Sequence, residues 1–213
     1  YATVGTIITL ALTALTAFPL SVTKFRSKKF LNVYYMITMF FYGGMIPTFL
    51  VVRGLGIIDT LWAMVLPGAL TAYNIMIFRS FFQGIPESLH ESAYIDGAND
   101  WRVLFSIILP LSKPVIATIA LFTIVRHWNS FFNALLYLNT PDKYPLQMIL
   151  RNILTGAEQL NKDSGAFETL AQSSVTESLK DASIIITTLP VICIYPFIQR
   201  YFVKGVMIGS VKG

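Results

Sequence analysis

Charge is scarce in this chain of 213 residues: 13% of it is Asp, Glu, Lys or Arg, against 54% hydrophobic. That is about half the charged share of a soluble domain, and the apolar residues gather into long charge-free runs that a soluble core does not require. An ordinary soluble fold is thereby excluded. Cysteine is limited to Cys193, so no internal disulfide can form, and no Cys/His cluster has metal spacing. Lying inside an apolar run, Cys193 reads as a packing residue. There is no Gly-x-x-x-x-Gly-Lys-Ser/Thr nucleotide loop. No Ser/His/Asp or paired-carboxylate arrangement falls within the apolar runs either, so catalysis by this chain is not expected. The net charge of +5 comes without a compact basic patch interleaved with aromatics, which argues against nucleic acid. The cations sit instead at the ends of apolar runs, as membrane topology demands. The first segment lacks a charged leader and is too long for a signal-peptide core.

What is present is a set of membrane-length segments. A spanning helix needs about 20 mostly apolar residues, and five stretches qualify or nearly do: Tyr1 to Thr23, Leu31 to Val52, Thr60 to Phe78, Val103 to Val125 and Ala182 to Gln199. Lys113, near the start of the fourth, is the one charge inside them. Pro and Gly recur within the runs (Pro19, Gly43-Gly44, Pro47, Pro67, Gly68, Pro110, Pro114, Pro190, Pro196). A membrane bundle tolerates them, because neighbouring helices satisfy the freed backbone groups, and they permit kinks and close approach.

Lys24, Arg26, Lys28 and Lys29 crowd the loop after the first run, which predicts a cytoplasmic loop. Alternation then puts Arg53 to Asp59 outside, Arg79 to Arg102 inside, Asn139 to Asp181 outside, and the C-terminus with Arg200, Lys204 and Lys212 inside. Most of the 16 Lys and Arg fall on the inside segments and most of the 11 Asp and Glu on the outside ones. This arrangement leaves Tyr1 outside, so a further span is expected before it. The fold class expected is all-α, a polytopic transmembrane bundle forming a single domain over residues 1–213. In the outer segment, 139–181, Pro141 to Thr155 has the mixed character of a short interfacial helix. Asn161 to Gly165 reads as a turn, with a helix starting near Gly165 or Phe167 and running into the last span.

Between the third and fourth runs lies Ile85 to Trp101. Pro86 suits a first helical turn, where its missing N–H matters least, and Glu87 favours the positive end of the helix dipole. The pattern predicts a helix from Pro86 to about Asp96, stopped by Gly97, then a second helix capped by Asn99 or Asp100. Leu89, Ala93 and Gly97 repeat at i, i+4, a partly small-residue face that another protein surface can approach closely. An ordinary connector needs no such face, and this one is longer than a tight connection.

Glu91-Ser92-Ala93, then Gly97, then Ile107, Leu109 and Pro110 resemble the Glu-Ala-Ala signature of importer permeases in the ATP-binding-cassette superfamily. Every spacing matches, and Ser92 in place of Ala is the one departure. Asp96-Gly97-Ala98, Leu109 to Pro114, Trp128-Asn129 and Tyr201 to Gly205 look like the carbohydrate-importer branch. The chain is similar to the smaller permease subunit of the maltose importer, and closer still to an oligosaccharide-type subgroup ending in Val-Met-Ile-Gly-Ser-Val-Lys-Gly or similar. The resemblance spans nearly the whole chain except the outer segment Tyr144 to Ser178.

The resemblance implies a type I importer permease in the bacterial inner membrane, carrying six spans. Residues 85–101 would be the coupling segment docking into a cytoplasmic ATPase, with Leu89, Glu91, Ser92, Ala93, Asp96 and Gly97 at the contact. The implied partners are a second permease subunit, two ATPase subunits, an extracytoplasmic solute-binding protein, lipid and a sugar. The implied cofactors, ATP and magnesium, belong to the ATPases, with none on this chain. A sugar pathway needs polar and stacking groups, and Tyr42, Tyr73, Asn74, Trp128, Asn129 and Asn133 are the candidates. Each aromatic reads equally as packing, and each Asn as a helix–helix hydrogen bond. Arg126 and His127 are expected near the outer interface, solvated, if the fourth span starts near Val103, and deeper against a cavity or partner if it starts near Pro110. A permease for a non-sugar solute, a secondary transporter or an intramembrane protease are the competing readings. A secondary transporter would call for buried ionisable groups, which four of the five runs lack, and a protease for catalytic residues at depth, of which none is evident.

Overall fold

The computed structural model describes residues 1–23, 25–163, 178, 181, 182, 184–190, 192 and 193. Among them every regular element is a helix. Helix α1 (Ala2–Ser21) carries no charge and is long and apolar enough to cross a membrane by itself. Pro19 sits in its last turns, where Ser21 Oγ donates to the Phe18 carbonyl at 2.6 Å.

The three middle runs are not the continuous spans that their composition predicts. Leu31 to Val52 is split into α2 (Lys28–Phe40) and α3 (Met45–Gly54), which meet at 114°. The break falls at Gly43-Gly44, and Gly44 holds φ +88°, a left-handed conformation that glycine adopts without steric penalty. Thr60 to Phe78 becomes α4 (Leu61–Val65), a 3-10 turn over Leu66–Gly68 and α5 (Ala72–Gln83), bent by 57°. Pro67 removes a backbone donor at that turn. Val103 to Val125 is bent by 79° at Ser112. There α7 (Asp100–Val103), a π-helical stretch Leu104–Ile108 and α8 (Leu109–Leu111) give way to α9 (Lys113–Trp128). Pro114 has no N–H to return to the Pro110 carbonyl, and its ring crowds that turn. Among the described residues there is thus one membrane-length helix, or up to four if each bent pair is one span. Residues 184–190 of the expected last span are helical. The rest of it, Lys24, the expected helix start near Gly165, and the C-terminal motif with Arg200, Lys204 and Lys212 lie outside the described residues.

Helix α1 packs against α5 and α9. Ala14, Ala17, Phe18 and Leu20 meet Ile75, Phe78 and Phe82 of α5 and Val115 and Ile119 of α9, joined by Val103, Leu104 and Ile108. Small side chains allow the close approach on which helix association in lipid depends. At Gly5 the approach is closest: a Cβ built there would lie 2.4 Å from His127 Nε2. Helix α2, largely apolar beyond Lys28 and Lys29, buries none of its residues and turns Val33, Tyr34, Ile37 and Phe40 outward.

At the opposite end from the α6 segment described below, Asp59 pins two loops together. Its carboxylate accepts from the amides of Asn139 (2.8 Å) and Thr140 (3.0 Å), from Thr140 Oγ1 (2.6 Å) and from Lys143 Nζ (2.6 Å). The Asp59 amide donates to the Tyr137 carbonyl at 2.8 Å, and Asp59 itself holds φ +59°. The Lys143 ammonium, followed by the Thr140 and backbone donors, holds its carboxyl well below the usual range. Beyond α10 (Phe131–Tyr137) and a short turn at Pro141–Lys143, helix α11 covers Leu146–Asp163. It passes through the point where the turn at Asn161 is expected.

Candidate functional site

Helix α6 (Glu87–Ile95) follows directly on Pro86, which stands at its N-cap position, and ends at Asp96. Gly97 follows with φ +78°. Its amide donates to the Tyr94 carbonyl at 3.0 Å, and the Ala98 amide reaches back to the Ala93 carbonyl at 2.9 Å. This reciprocal pair closes a helix end at a left-handed residue, so the tight turn is built from Gly97's conformational freedom. Two residues on, Asn99 Oδ1 accepts from the Arg102 amide at 2.9 Å and caps α7. Tyr94 Oη donates to Asp100 Oδ1 at 2.7 Å, bracing one helix against the next. Burial first, and the bond to Asp100 second, push the Tyr94 hydroxyl up to about 12.

This helix-turn-helix is fastened to the bundle at three points. Thr23 Oγ1 donates to Glu87 Oε1 at 2.6 Å. The rings of Phe18 and His90 stack at 6.4 Å between centroids. Ala93, 7% exposed, enters the same apolar core as Phe18 and Leu20. The expected docking face of Leu89, Ala93 and Gly97 therefore needs correction at its centre, because Ala93 faces the chain's own core. The outward face is Glu91, Ser92, Asp96, Gly97 and Ile95, the last 86% exposed, with Leu89 at its edge. A Cβ at Gly97 would meet nothing within 4 Å. Two clefts flank the segment. One, about 200 Å³, borders Thr23, Gln83, Glu87, His90 and Glu91. The other, about 710 Å³ and largely apolar, lies between Leu15, Phe18, Phe25, Trp101 and Leu104.

The structure does not bring the six pathway candidates onto one surface. Asn74 is buried on α5, at the first turn that Thr71 caps, while its neighbour Tyr73 faces outward. Trp128 Nε1 donates to the Thr187 carbonyl at 3.0 Å, which ties α9 to the described part of the last run. Asn129 ends α9, and its Oδ1 accepts from Gln147 Nε2 at a long 3.4 Å. Asn133 and Tyr42 are exposed. His127 is not solvated: it is 5% exposed and packed on Gly5, because the helix carrying it starts at Lys113 rather than Val103. Arg126 stays exposed but donates to the Gly68 carbonyl at 2.8 Å. Buried polar groups lie on both of these packed helices, namely Thr6, Thr9 and Thr13 on α1 and Thr123 and His127 on α9. The spacing of those three threonines put one face of α1 on view in the sequence. The Asp59 clamp had no such signal.

Comparison with known proteins identifies the family. Residues 3–208 match the model of a family described as binding-protein-dependent transport system inner membrane component. The polygalacturonan/rhamnogalacturonan transport system permease protein YtcP of Bacillus subtilis is 45% identical over 210 residues, covering 99% of this chain and 73% of that protein. Protein LplC of the same organism is 47% identical, covering 99% and 70%. The arabinooligosaccharides transport system permease protein AraQ of B. subtilis is 28% identical, covering 98% and 69%. A crystal structure of a bacterial ABC transporter involved in the import of the acidic polysaccharide alginate has a TM-score of 0.83 at 32% identity, covering 95% of this chain and 71% of that one.

Proposed function

Because the chain belongs to the family of binding-protein-dependent transport system inner membrane components, we propose that it forms half of the translocation pathway of an ATP-driven importer for oligosaccharides. The relatives named for polygalacturonan, arabinooligosaccharides and alginate support a carbohydrate substrate. The observation that carries the mechanism is the braced helix-turn-helix from Glu87 to Val103, with Glu91 and Gly97 on its outward side.

The work assigned to this chain is mechanical. A cytoplasmic ATPase gripping the outward face of α6 would displace a short lever. Three contacts carry the displacement inward: the Thr23–Glu87 hydrogen bond, the Phe18–His90 stack and Ala93 in the core. All three lead into α1 or the loop that follows it, and α1 packs on α5 and α9. Movement of α6 would thus reorient α1, α5 and α9 together, since packed cores move between discrete arrangements rather than deforming gradually. The Asp59 clamp would hold the outer loops as one piece while the inner end moves. The partners in this reading are a second permease subunit, two ATPases that bind ATP and magnesium, and a solute-binding protein on the outer side. In this reading the α6 segment and the C-terminus lie in the cytoplasm, which the Lys/Arg bias supports.

The test is sugar-dependent ATP hydrolysis by the complete complex in proteoliposomes supplied with its binding protein. Stimulation by an oligosaccharide, with uptake of that sugar, is the expected result. Stimulation only by amino acids, peptides or inorganic ions would refute the carbohydrate reading.

A further inference from the structure

We propose that the cleft between the start of α10 and helix α11 is a subsite for the carboxylate of an acidic sugar unit, and that Arg151 sets a preference for carboxylated over neutral oligosaccharides. The inference rests on the oligosaccharide reading above and narrows its substrate class. The cleft measures about 320 Å³ and is lined by Phe131, Gln147, Leu150, Arg151, Leu154 and Thr155. That is at the low end of the roughly 300–1,000 Å³ of small-ligand sites, room for part of a glycan chain rather than the whole.

The sequence builds this lining from one helix face. Gln147, Leu150, Arg151 and Leu154 recur at i, i+3, i+4 and i+7 along α11, and Phe131 opens α10 opposite them. The Arg151 Cζ lies 4.6 Å from the centroid of the Phe131 ring. A guanidinium resting on an aromatic ring is held in place while its N–H edge stays available, and that edge matches a carboxylate with two parallel hydrogen bonds. Arg151 is exposed, and among the described residues the one ion pair is Asp59–Lys143, elsewhere on the chain. The charge at the cleft is therefore not answered by a carboxylate among those residues. Gln147 spends one amide hydrogen on a 3.4 Å contact to Asn129, and its amide and the Thr155 hydroxyl add neutral hydrogen-bonding groups suited to sugar hydroxyls. A cation, a ring and two neutral polar groups around one cleft form the donor set that a uronic acid unit requires.

The experiment uses the complete complex in proteoliposomes with its binding protein. It compares an oligogalacturonate with its fully methyl-esterified form, measuring ATP hydrolysis against sugar concentration. With the parent complex, the acidic sugar should stimulate at lower concentration than the ester. Arg151→Gln should raise the half-maximal concentration for the acid about tenfold, the scale of one lost charge-assisted hydrogen bond, and leave that for the ester within about twofold. Arg151→Lys, which keeps the charge but loses the fork, should fall between them and serves if the Gln variant does not assemble. Equal effects of Arg151→Gln on both sugars, no effect on either, or a parent complex that prefers the ester would overturn the proposal while leaving the oligosaccharide reading standing. A parent complex that no oligosaccharide stimulates would sink that reading and this proposal with it.

Discussion

Replacing Gly5 with Ala should weaken the bundle through a single contact. The new Cβ would lie 2.4 Å from His127 Nε2, 2.7 Å from Cε1 and 2.8 Å from Cδ2. Real carbon atoms do not approach so closely, so the imidazole or the helix must move. The ring is 5% exposed and wedged between α1 and α9, so it has little room to rotate away. Overpacking of this kind costs about 1–3 kcal/mol, roughly a five- to 150-fold shift in the folding equilibrium. Titrating the purified protein in mixed micelles with a denaturing detergent, and following loss of helical tertiary signal, measures it. The double variant Gly5→Ala/His127→Ala removes the obstruction, so its loss should be smaller than the sum of the two single losses by about 1 kcal/mol or more. Unchanged stability of Gly5→Ala, or strict additivity in the double variant, would refute the close approach.

Other expectations follow from the same geometry. Asp59 has a depressed pKa in the folded chain, so its contribution is present above the ordinary carboxylate pKa of about 4 and fades as pH falls below it. The clamp should hold between pH 5 and 8, whereas Asp59→Asn should loosen it at neutral pH, read as faster hydrogen exchange at the Asn139 and Thr140 amides. Unaltered exchange there would remove Asp59 from that role. Asn129→Ala gives up one long hydrogen bond to Gln147, worth at most about 1 kcal/mol, so assembly should be nearly intact while uptake falls; normal uptake would take Asn129 off the pathway. Single cysteines at Ser88 and at Thr155, in a Cys193→Ser background, should label oppositely with an impermeant thiol reagent on intact cells: Thr155→Cys reacts and Ser88→Cys does not. Reaction at Ser88→Cys would invert the topology.

The helical membrane class was legible because charge-free runs of membrane length admit few other structures. The turn at Gly97 and the cap at Asn99 were legible too, since both depend on local backbone chemistry that neighbouring residues specify. The bends were only half visible. Gly44, Pro67 and Pro114 stood in the sequence, but a glycine or proline does not say whether a helix kinks or breaks, which depends on what packs beside it. Burial was the least legible property. Ala93 looked like part of a docking face because i, i+4 spacing identifies a stripe and not what the stripe meets. The depth of His127 was open because it depended on where α9 begins, which Ser112 and Pro114 decide. The Asp59 clamp and the Arg151–Phe131 contact join residues distant in sequence, and no local pattern announces such pairs.

The central claim is that α6 and its glycine turn transmit the ATPase's motion. At Gly97 any Cβ meets the left-handed φ of +78°, at about 1–2 kcal/mol, but has nothing within 4 Å among the described residues. Bulk at that position therefore acts on a partner rather than on the fold. Glu91 is exposed on α6. The decisive measurement is ATPase co-purification together with solute uptake for Gly97→Leu and Glu91→Ala, each checked for normal membrane insertion. The account predicts inserted protein with weakened ATPase association or with hydrolysis uncoupled from uptake. Parent-like association and transport in both variants would contradict it.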